Sequence, residues 1–279
     1  MISLARLSDF SSKWLERESP CSNAKCTSRK GLRGVRRNGF RIGDDWFCSP
    51  ECFEHAAEKN IRALCSGLGR PLQTKKSRIP LGLLLFSRGI LTKDQLGMVL
   101  DRHRQSGANV GDAAQQLGFA TPEQVTAAVA LQWSCPVFFL GEQPAPVQVH
   151  IPRFLLELHG IVPVHFAEKG RKLFIGVVSS VQYQILYTIE HMLACKVEPC
   201  FITAQEYARQ LSLASPEVRD DELLFENPML HSEMARIVRN YAVQLGTLQA
   251  RIGKCSNYIW ARLCGGKREM DLIFRAVHD

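Results

Sequence analysis

The feature that most constrains this sequence is an internal repeat. The stretch LGLLLFSRGILTKDQL, from Leu81 to Leu96, has a fainter copy in VGDAAQQLGFATPEQV, from Val110 to Val125. Gly89 and Gly118 occupy the same position in the two copies. Glycine adopts the left-handed conformation that ends a helix at little cost. The chain therefore contains one structural unit twice, with a turn at each of these glycines.

Each copy also carries the signal for a second helix after its turn. Thr92 and Gln95 form a capping box in the first copy, and Thr121 and Gln124 form one in the second. The apolar spacing that follows predicts an inward helix face. That face comprises Leu96, Val99 and Leu100 in the first copy, and Val125, Ala128 and Val129 in the second. The sequence therefore predicts two helical hairpins.

The repeat resembles the tandem motif in the N-terminal domain, of the MshE-N type, of type II secretion and type IV pilus assembly ATPases. Each family motif begins Arg-Leu-Gly, passes through paired aliphatic residues to a glycine, and closes with spaced leucines and a glutamine. The corresponding segments here are Pro80 to His103 and Asn109 to Gln132, with residues 104–108 between them. In some members the two motifs together bind cyclic di-GMP. The resemblance thus implies that two copies hold the two halves of a dinucleotide.

This chain departs from the family motif at its leading residues. Pro80 and Asn109 stand where the family has an arginine that would stack on a guanine, and His103 replaces the first closing glutamine. An arginine stacked on a base in a desolvated site is worth roughly 1 to 2 kcal/mol, so weak or absent cyclic di-GMP binding is expected, although Arg78 or Arg88 could compensate. The repeat would then be retained as a docking scaffold; the alternative to a ligand-binding repeat is that two helical hairpins merely pack on each other and their glycines serve only turns. The resemblance assigns to the ligand Leu81, Gly82, Leu85, Gly89, Leu96, Leu100, His103, Asn109, Gly111, Gly118, Val125, Val129 and Gln132.

The resemblance continues beyond the repeat. IPRFLLELHGIVPVHFAEKGRKLFIGVVSS is similar to the family's helix, its strand ending in Val-Pro-Val, a turn and a second strand. A helix from about Val181 to Leu193, a strand around Val197 to Ile202 and a helix begun by Thr203 and Glu206 follow. The predicted domain covers residues 79–212, with the repeat at 80–132 and a small α/β unit at 151–212.

Four cysteines near the N-terminus have the pairing of a metal site. They are Cys21 and Cys26 in CSNAKC, and Cys48 and Cys52 in FCSPEC. The start of the chain lacks the apolar core of an export signal, so a disulfide framework is not expected. Four thiolates form a closed tetrahedral site for structural zinc. The pattern resembles a treble-clef or FCS-type zinc finger over about residues 20–60; His55 could replace one ligand, and four incidental cysteines are the alternative.

The formal charge of +8 is concentrated at the N-terminus. Residues 1–78 hold 16 Lys and Arg against 8 Asp and Glu, whereas residues 79–279 hold 19 of each. A basic region can bind nucleic acid, but it is as often a solvated surface. The arginines that would engage phosphates are Arg33, Arg36, Arg37 and Arg41.

The C-terminal part predicts an amphipathic helix and three strands, near residues 248–252, 258–263 and 270–274. This layout is similar to the segment that precedes the motor of secretion ATPases, but Thr247 to Arg251 do not keep its Ala-Ser-Asp-Ile-His motif. No G-x-x-x-x-G-K-[ST] loop occurs, and CGGKRE at Cys264 to Glu269 is its nearest approach. Hydrolysis of ATP by the family mechanism is therefore not expected.

These observations predict a multidomain α+β protein. Its predicted parts are a zinc module at 1–66, a linker at 67–78, the secretion-ATPase-like domain at 79–212, an acidic linker at 213–228, and a helix with a short antiparallel sheet at 229–279. The expected function is a non-catalytic regulatory or adaptor protein of the cytoplasm, without a membrane span, whose partner belongs to a secretion or pilus machine. The alternative is a zinc-dependent nucleic-acid-binding regulator.

Overall fold

The structure is a computed structural model that describes residues 21–26, 39–67, 78–139, 147, 149–214, 221–266 and 268–277. Its helices are α1 (Pro50–Cys65), α2 (Leu81–Ser87), α3 (Lys93–Ser106), α4 (Val110–Gln116), α5 (Pro122–Trp133), α6 (Arg153–His159), α7 (Tyr183–Leu193), α8 (Ala204–Ala214) and α9 (His231–Leu245). Its strands are β1 (Phe40–Ile42), β2 (Asp45–Phe47), β3 (Ile161–Ala167), β4 (Lys172–Val177), β5 (Lys196–Phe201), β6 (Glu222–Met229), β7 (Thr247–Cys255), β8 (Tyr258–Gly265) and β9 (Arg268–Ala276). The predicted α+β class is confirmed.

The repeat folds as two helical hairpins, α2–α3 and α4–α5. Both predicted capping boxes are present: Thr92 and Gln95 bond reciprocally at the start of α3, and Thr121 and Gln124 do so at the start of α5. The apolar faces of these helices share one core with α6, α7 and the small sheet. Among the helices that the structure describes, none combines the length and apolarity needed to cross a bilayer.

The small α/β unit contains a three-stranded sheet in the order β3-β4-β5. β3 and β4 form an antiparallel pair, and β5 joins β4 in parallel after the crossover through α7. Thr203 and Glu206 form the capping contact predicted for the last helix. One face of this sheet packs towards α6 and α7, and α8 lies on the other.

A second, six-stranded sheet has the order β2-β1-β7-β8-β9-β6. β7, β8 and β9 form the antiparallel meander predicted from the sequence, whereas β1 and β6 join its edges in parallel. The acidic linker predicted over 213–228 therefore needs correction, because strand β6 begins at Glu222. Leu223 pairs with Leu272, and the rings of Phe225 and Phe274 stack 4.8 Å apart. This non-local pairing outweighs the acidic, proline-containing composition.

The two faces of the large sheet bury different parts of the chain. Ile252, Leu272 and their neighbours pack on α1 and α9, whereas Trp260 and Ile273 pack on the α/β unit. The alternation of strand side chains between faces produces this three-layer arrangement. β1, β2 and α1, predicted to lie in a separate zinc module at 1–66, thus share one sheet and one core with residues 229–277.

Candidate metal centre and paired hairpins

The four predicted metal-binding cysteines come together in space. The Sγ atoms of Cys21, Cys26, Cys48 and Cys52 all lie within 4.8 Å of one another. The Cys26 and Cys48 sulfurs are 3.5 Å apart, and those of Cys48 and Cys52 are 4.0 Å apart. A tetrahedral zinc with Zn–S bonds of about 2.3 Å needs sulfur separations of about 3.8 Å. The cluster fits such an ion; His55 is exposed and does not belong to it.

A tight turn beside β2 positions the first two cysteines. The backbone N–H of Cys26 donates to the carbonyl of Asn23 at 3.0 Å, which closes the turn. Ser22 donates its backbone N–H to the carbonyl of Trp46 at 2.8 Å, and its hydroxyl accepts the Trp46 N–H at 3.3 Å. The turn is therefore fixed to the β1–β2 hairpin as well as to the metal ligands.

The other two cysteines flank the start of α1. Ser49 caps this helix, and its hydroxyl accepts the backbone N–H of Cys52 at 3.3 Å. Burial raises the pKa of the Cys48 thiol, and its hydrogen bonds with Cys26 and Cys21 raise it further. Thiolates gathered at this distance need a cation to balance them, and each becomes a metal ligand only when deprotonated.

The centre also connects to the C-terminal part of the chain through α1. Phe53 is fully buried, and its ring lies 5.1 Å from that of Phe40 in the core that α1 shares with α9. Glu54 forms a 3.0 Å ion pair with Arg239 of α9. Four protein sulfurs fill all positions of a tetrahedral ion, so this donor set suits a structural ion and leaves no open position for substrate.

The motif glycines Gly82 and Gly111 mark equivalent close contacts between helices. A Cβ at Gly82 would lie 2.9 Å from Cδ1 of Leu96, and a Cβ at Gly111 would lie 2.7 Å from Cγ1 of Val125. A Cβ at either position would force its neighbour to move, which is easier for the flexible end of Leu96 than for the β-branched Val125. The sequence resemblance assigned these glycines to a ligand; in the structure each accommodates a side chain of its own hairpin.

The turn glycines have the predicted backbone conformation. Gly89 has φ of +69° and Gly118 has φ of +70°, values that favour glycine. The residues assigned to the ligand differ in accessibility. Gly82, Leu85, Gly111, Val125 and Val129 are buried; Leu81, Leu96, Leu100 and Gln132 are half-buried; and Gly89, His103, Asn109 and Gly118 are exposed. The apolar members of the set thus mainly form the hairpin core.

The residues that close the two motifs make related contacts with the backbone. The side-chain amide of Gln132 donates to the carbonyl of Ile79 at 2.6 Å. Nδ1 of His103 lies 2.5 Å from the carbonyl oxygen of Ala108. Ile79 directly precedes the first motif and Ala108 directly precedes the second, so each closing residue contacts the entrance of the other motif. His103 therefore contacts the backbone at the entrance of the second motif, although it stands where the family motif has a glutamine.

The entrances of the motifs lack the stacking arginine at their first residue. Pro80 and Asn109 begin α2 and α4 without a side-chain cap. The guanidinium of Arg78 lies 3.3 Å from the ring centroid of Trp133, directly after the second motif. Arg88 is exposed at the end of α2. The predicted compensating arginine Arg78 thus stacks on an aromatic ring of the protein, a contact that sequence reasoning missed.

Sequence reasoning also missed a buried ionic network on the large sheet. The carboxylate of Asp271 accepts hydrogen bonds from Trp260 at 2.6 Å and from Arg262 at 2.8 and 2.7 Å. Nε2 of His150 lies 2.8 Å from Glu222 and 3.5 Å from Asp271. Hydrogen bonding to Asp271 keeps the Arg262 pKa raised although burial lowers it. The network joins the segment before α6 to β6, β8 and β9.

Among known proteins, this chain shows similarity to solved structures but to no family profile or curated sequence. A structure of MshE with cdg matches with 20% identity and a TM-score of 0.41, and covers 48% of this chain and 98% of its own. Two structures of the N-terminal domain of XpsE match with 12% and 14% identity and TM-scores of 0.37 and 0.30; they cover 48% and 53% of this chain, and 93% and 99% of their own. Each of these structures is matched along nearly its whole length, and each match covers about half of this chain.

Proposed function

We propose that this protein is a non-catalytic regulatory or adaptor protein of the cytoplasm whose paired hairpins dock a protein partner. The supporting observation is the set of large apolar side chains that the hairpins leave in water, namely Ile79, Leu83, Phe86, Met98 and Leu131. Contiguous exposed apolar patches mark interaction sites, and Leu83 and Phe86, three residues apart on α2, lie on one helix face. By the sequence resemblance, the partner is a component of a secretion or pilus machine.

Structural zinc at the cysteine cluster is the second part of the proposal. The sulfur separations and the closed four-thiolate set support zinc over a hard cation, which prefers oxygen ligands. In this role the metal holds the turn at residues 21–26 against β2 and the start of α1. It contributes to the architecture and not to a reaction.

The proposal assigns the repeat only weak affinity, or none, for cyclic di-GMP. Both leading arginines are absent, and the polar groups of Gln132 and His103 already contact backbone carbonyls. Two lost stacking contacts of roughly 1 to 2 kcal/mol each correspond to about thirty- to a thousand-fold weaker binding. Calorimetry of the full chain with cyclic di-GMP tests this. A submicromolar dissociation constant that Gly111→Val abolishes in a folded protein would contradict it.

Docking through the hairpins is tested by comparing partners of matched variants. The full chain and a Leu83→Arg/Phe86→Arg variant serve as baits in extracts of the native cell, with Val243→Arg as the control. Val243 is similarly exposed but lies on α9, away from the hairpins. The hairpin variant should lose a secretion or pilus component that the control retains. An unchanged partner set in the hairpin variant would count against this docking surface.

The second candidate is a zinc-dependent nucleic-acid-binding regulator. Lys25, within the metal-binding turn, and Arg41, on β1, are both exposed. Arg33, Arg36 and Arg37, also predicted to contact phosphates, lie outside the described residues. Phosphate contacts weaken steeply with salt, so a zinc-dependent complex should dissociate between low and physiological salt. Absence of any retention on DNA or RNA at low salt would remove this candidate.

A further inference from the structure

The face of the small sheet that α8 packs against carries a cluster of aromatic rings. Tyr207 and Leu211 of α8 pack against the buried residues of this face. The side-chain amide of Gln210 donates to the carbonyl of Pro163 at 3.0 Å and fixes the helix there. The same face carries Phe138, His165 and Phe174, and the two phenylalanines pack against the same core as α8.

The three rings are close together and similarly oriented. Their centroids are 6.2 Å apart for Phe138 and His165, 6.4 Å for Phe138 and Phe174, and 5.9 Å for His165 and Phe174. The angles between the ring planes are 22°, 30° and 36°, respectively. Strand pairing fixes two of them, since His165 of β3 lies opposite Phe174 of β4. Phe138 is fixed by a 2.9 Å hydrogen bond from its backbone N–H to Phe201.

These rings remain accessible to solvent. His165 is exposed, Phe138 and Phe174 are half-buried, and the adjacent Phe139 exposes 65% of its surface. Phenylalanine is usually buried because its ring removes a large apolar area from water. A rigid group of rings left in this state provides a surface on which another planar group can stack.

Basic residues lie at the edge of the sheet that includes Phe174. Nζ of Lys172 lies 5.9 Å from the centroid of the Phe174 ring and pairs with Glu198 at 2.7 Å. The β3–β4 turn and the start of β5 add the exposed cations Lys169, Arg171 and Lys196, against one further carboxylate, Glu168. The net positive charge at this edge complements an anionic ligand.

We propose that this surface, formed by Phe138, His165 and Phe174 with Lys172 beside them, is a binding site for single-stranded nucleic acid. Unpaired bases stack on aromatic side chains irrespective of sequence, and neighbouring cations contact the phosphates. A duplex hides its base faces, so the surface selects single strands. The site lies on the α/β unit, so it goes beyond the docking role of the hairpins and does not depend on zinc.

The test is fluorescence anisotropy of the full chain at low salt with a labelled oligodeoxythymidine. Its length of about twelve nucleotides lies within the range of about 4 to 16 that OB-fold single-strand-binding domains cover. Loss of stacking costs roughly 1 to 3 kcal/mol per base, so His165→Ala and Phe138→Leu should each weaken binding by about five- to 150-fold. Phe138→Leu keeps an apolar side chain in place. Lys172→Gln should reduce the magnitude of the slope of log K against the logarithm of the salt concentration by about 0.7, because one phosphate contact is lost. Tyr187→Ala, an exposed aromatic on α7, should bind like the parent protein.

Several outcomes would overturn the site. They are an absence of oligonucleotide binding at low salt, unchanged affinity in the folded His165→Ala/Phe138→Leu variant, and equally tight binding of a duplex of the same length. Loss of a protein partner in that variant, without any oligonucleotide binding by the parent, would assign the rings to protein docking instead. If Phe138→Leu does not fold, the double variant His165→Ala/Phe139→Ala, which changes two exposed positions, replaces it. Unchanged oligonucleotide affinity in that variant would overturn the site in the same way.

Discussion

Gln132 donates a 2.6 Å hydrogen bond to the carbonyl of Ile79, and thereby joins the end of the second motif to the residue in front of the first. His103 makes the related contact with Ala108 in front of the second motif. The Gln132 contact joins residues 53 positions apart and connects the two hairpins, whereas the His103 contact joins residues five positions apart at the spacer between them. Positions that the family resemblance assigns to a ligand hold the repeat together in this protein.

Removing the Gln132 contact should destabilise the repeat modestly. A typical intramolecular hydrogen bond contributes about 0.5 to 1.5 kcal/mol, so Gln132→Ala should lower the free energy of unfolding by about 1 kcal/mol. Urea denaturation measures this. Gln116→Ala, at an exposed position on α4, is the control and should change stability little. Equal stability of the two variants would show that the contact with Ile79 contributes nothing.

Gly111 and Gly97 should respond in opposite directions to alanine. A Cβ at Gly111 would meet Val125 at 2.7 Å, whereas a Cβ at Gly97 would meet nothing within 4 Å. Overpacking costs about 1 to 3 kcal/mol, while alanine is favoured over glycine in an exposed helix by about 1 kcal/mol. Thermal unfolding should therefore show a lower midpoint for Gly111→Ala and a higher one for Gly97→Ala. A rise in both would mean that α4 and α5 are not packed this closely.

The sequence predicted what local chemistry determines. The capping boxes at Thr92 and Thr121 depend on residues three positions apart, and both are present. The turn at Gly89 was also predictable, because its left-handed backbone conformation is one that few residues other than glycine adopt. The cysteine cluster was also predictable, because the donor type and the pairing are visible in the sequence.

Long-range pairing accounts for what the sequence did not predict. β6 contains Glu222 and Pro228, which are typical of loops, and it is a strand because β9 supplies its backbone partners. The pairing of Ile42 with Ala250 joins distant parts of the chain and has no local signal. The contact between Arg262 and Asp271 likewise depends on the register of β8 against β9, which alternation alone does not fix.

Zinc removal should loosen only part of the N-terminal region. Small zinc fingers unfold without metal, but α1 has its own apolar contacts with α9 through Phe53 and Ile61. Stoichiometric zinc is expected in protein purified without chelator. Chelation, or Cys26→Ser, should increase hydrogen exchange in residues 21–26 and in β1–β2 while α1 stays protected. Cys135→Ser, a half-buried thiol outside the cluster, is the matched control.

Absence of zinc in that preparation would remove the metal centre. Loss of protection throughout α1 on chelation would contradict the claim that α9 holds this helix independently. The two readouts therefore separate the presence of the metal from the extent of its structural effect.

Neutralising Asp271 should be strongly destabilising. Its side chain is almost fully buried and accepts three hydrogen bonds from Trp260 and Arg262. Removing one partner of a buried ion pair costs about 3 to 5 kcal/mol, because the other charge remains uncompensated. Asp271→Asn should show this loss in chemical denaturation. Asp101→Asn, which removes an exposed pair with Arg104, should have little effect; comparable losses would show that the burial of Asp271 is not decisive.

Acid should destabilise the fold through His159. Burial lowers the pKa of this histidine, although a hydrogen bond with Gln182 partly opposes the shift, and its buried Nε2 has no hydrogen-bond partner within the described residues. As pH falls below the ordinary histidine value of about 6.5, the unfolded chain binds a proton that the folded chain does not. Stability is therefore fully present above that pH and decreases towards the lowered folded pKa.

The measurement for His159 is the free energy of unfolding at about pH 7.5 and about pH 5.5, on either side of the ordinary histidine pKa. His159→Gln should reduce the difference between these two values. His55→Gln, at an exposed position on α1, should leave the difference as in the parent protein. An unchanged difference in His159→Gln would assign the acid sensitivity to other groups.

The parallel pairing of β1 with β7 sets an order of events during synthesis. β1 and β2 leave the ribosome well before β7, the strand that completes their sheet and that contains Ala250. Such distant contacts form slowly, and the edge of β1 stays open until β7 arrives. The cysteine turn can close on its metal long before then, because all four of its ligands precede residue 53. Early metal capture would hold the β1–β2 hairpin in place until β7 is made, so zinc supply during translation should affect the yield of folded protein.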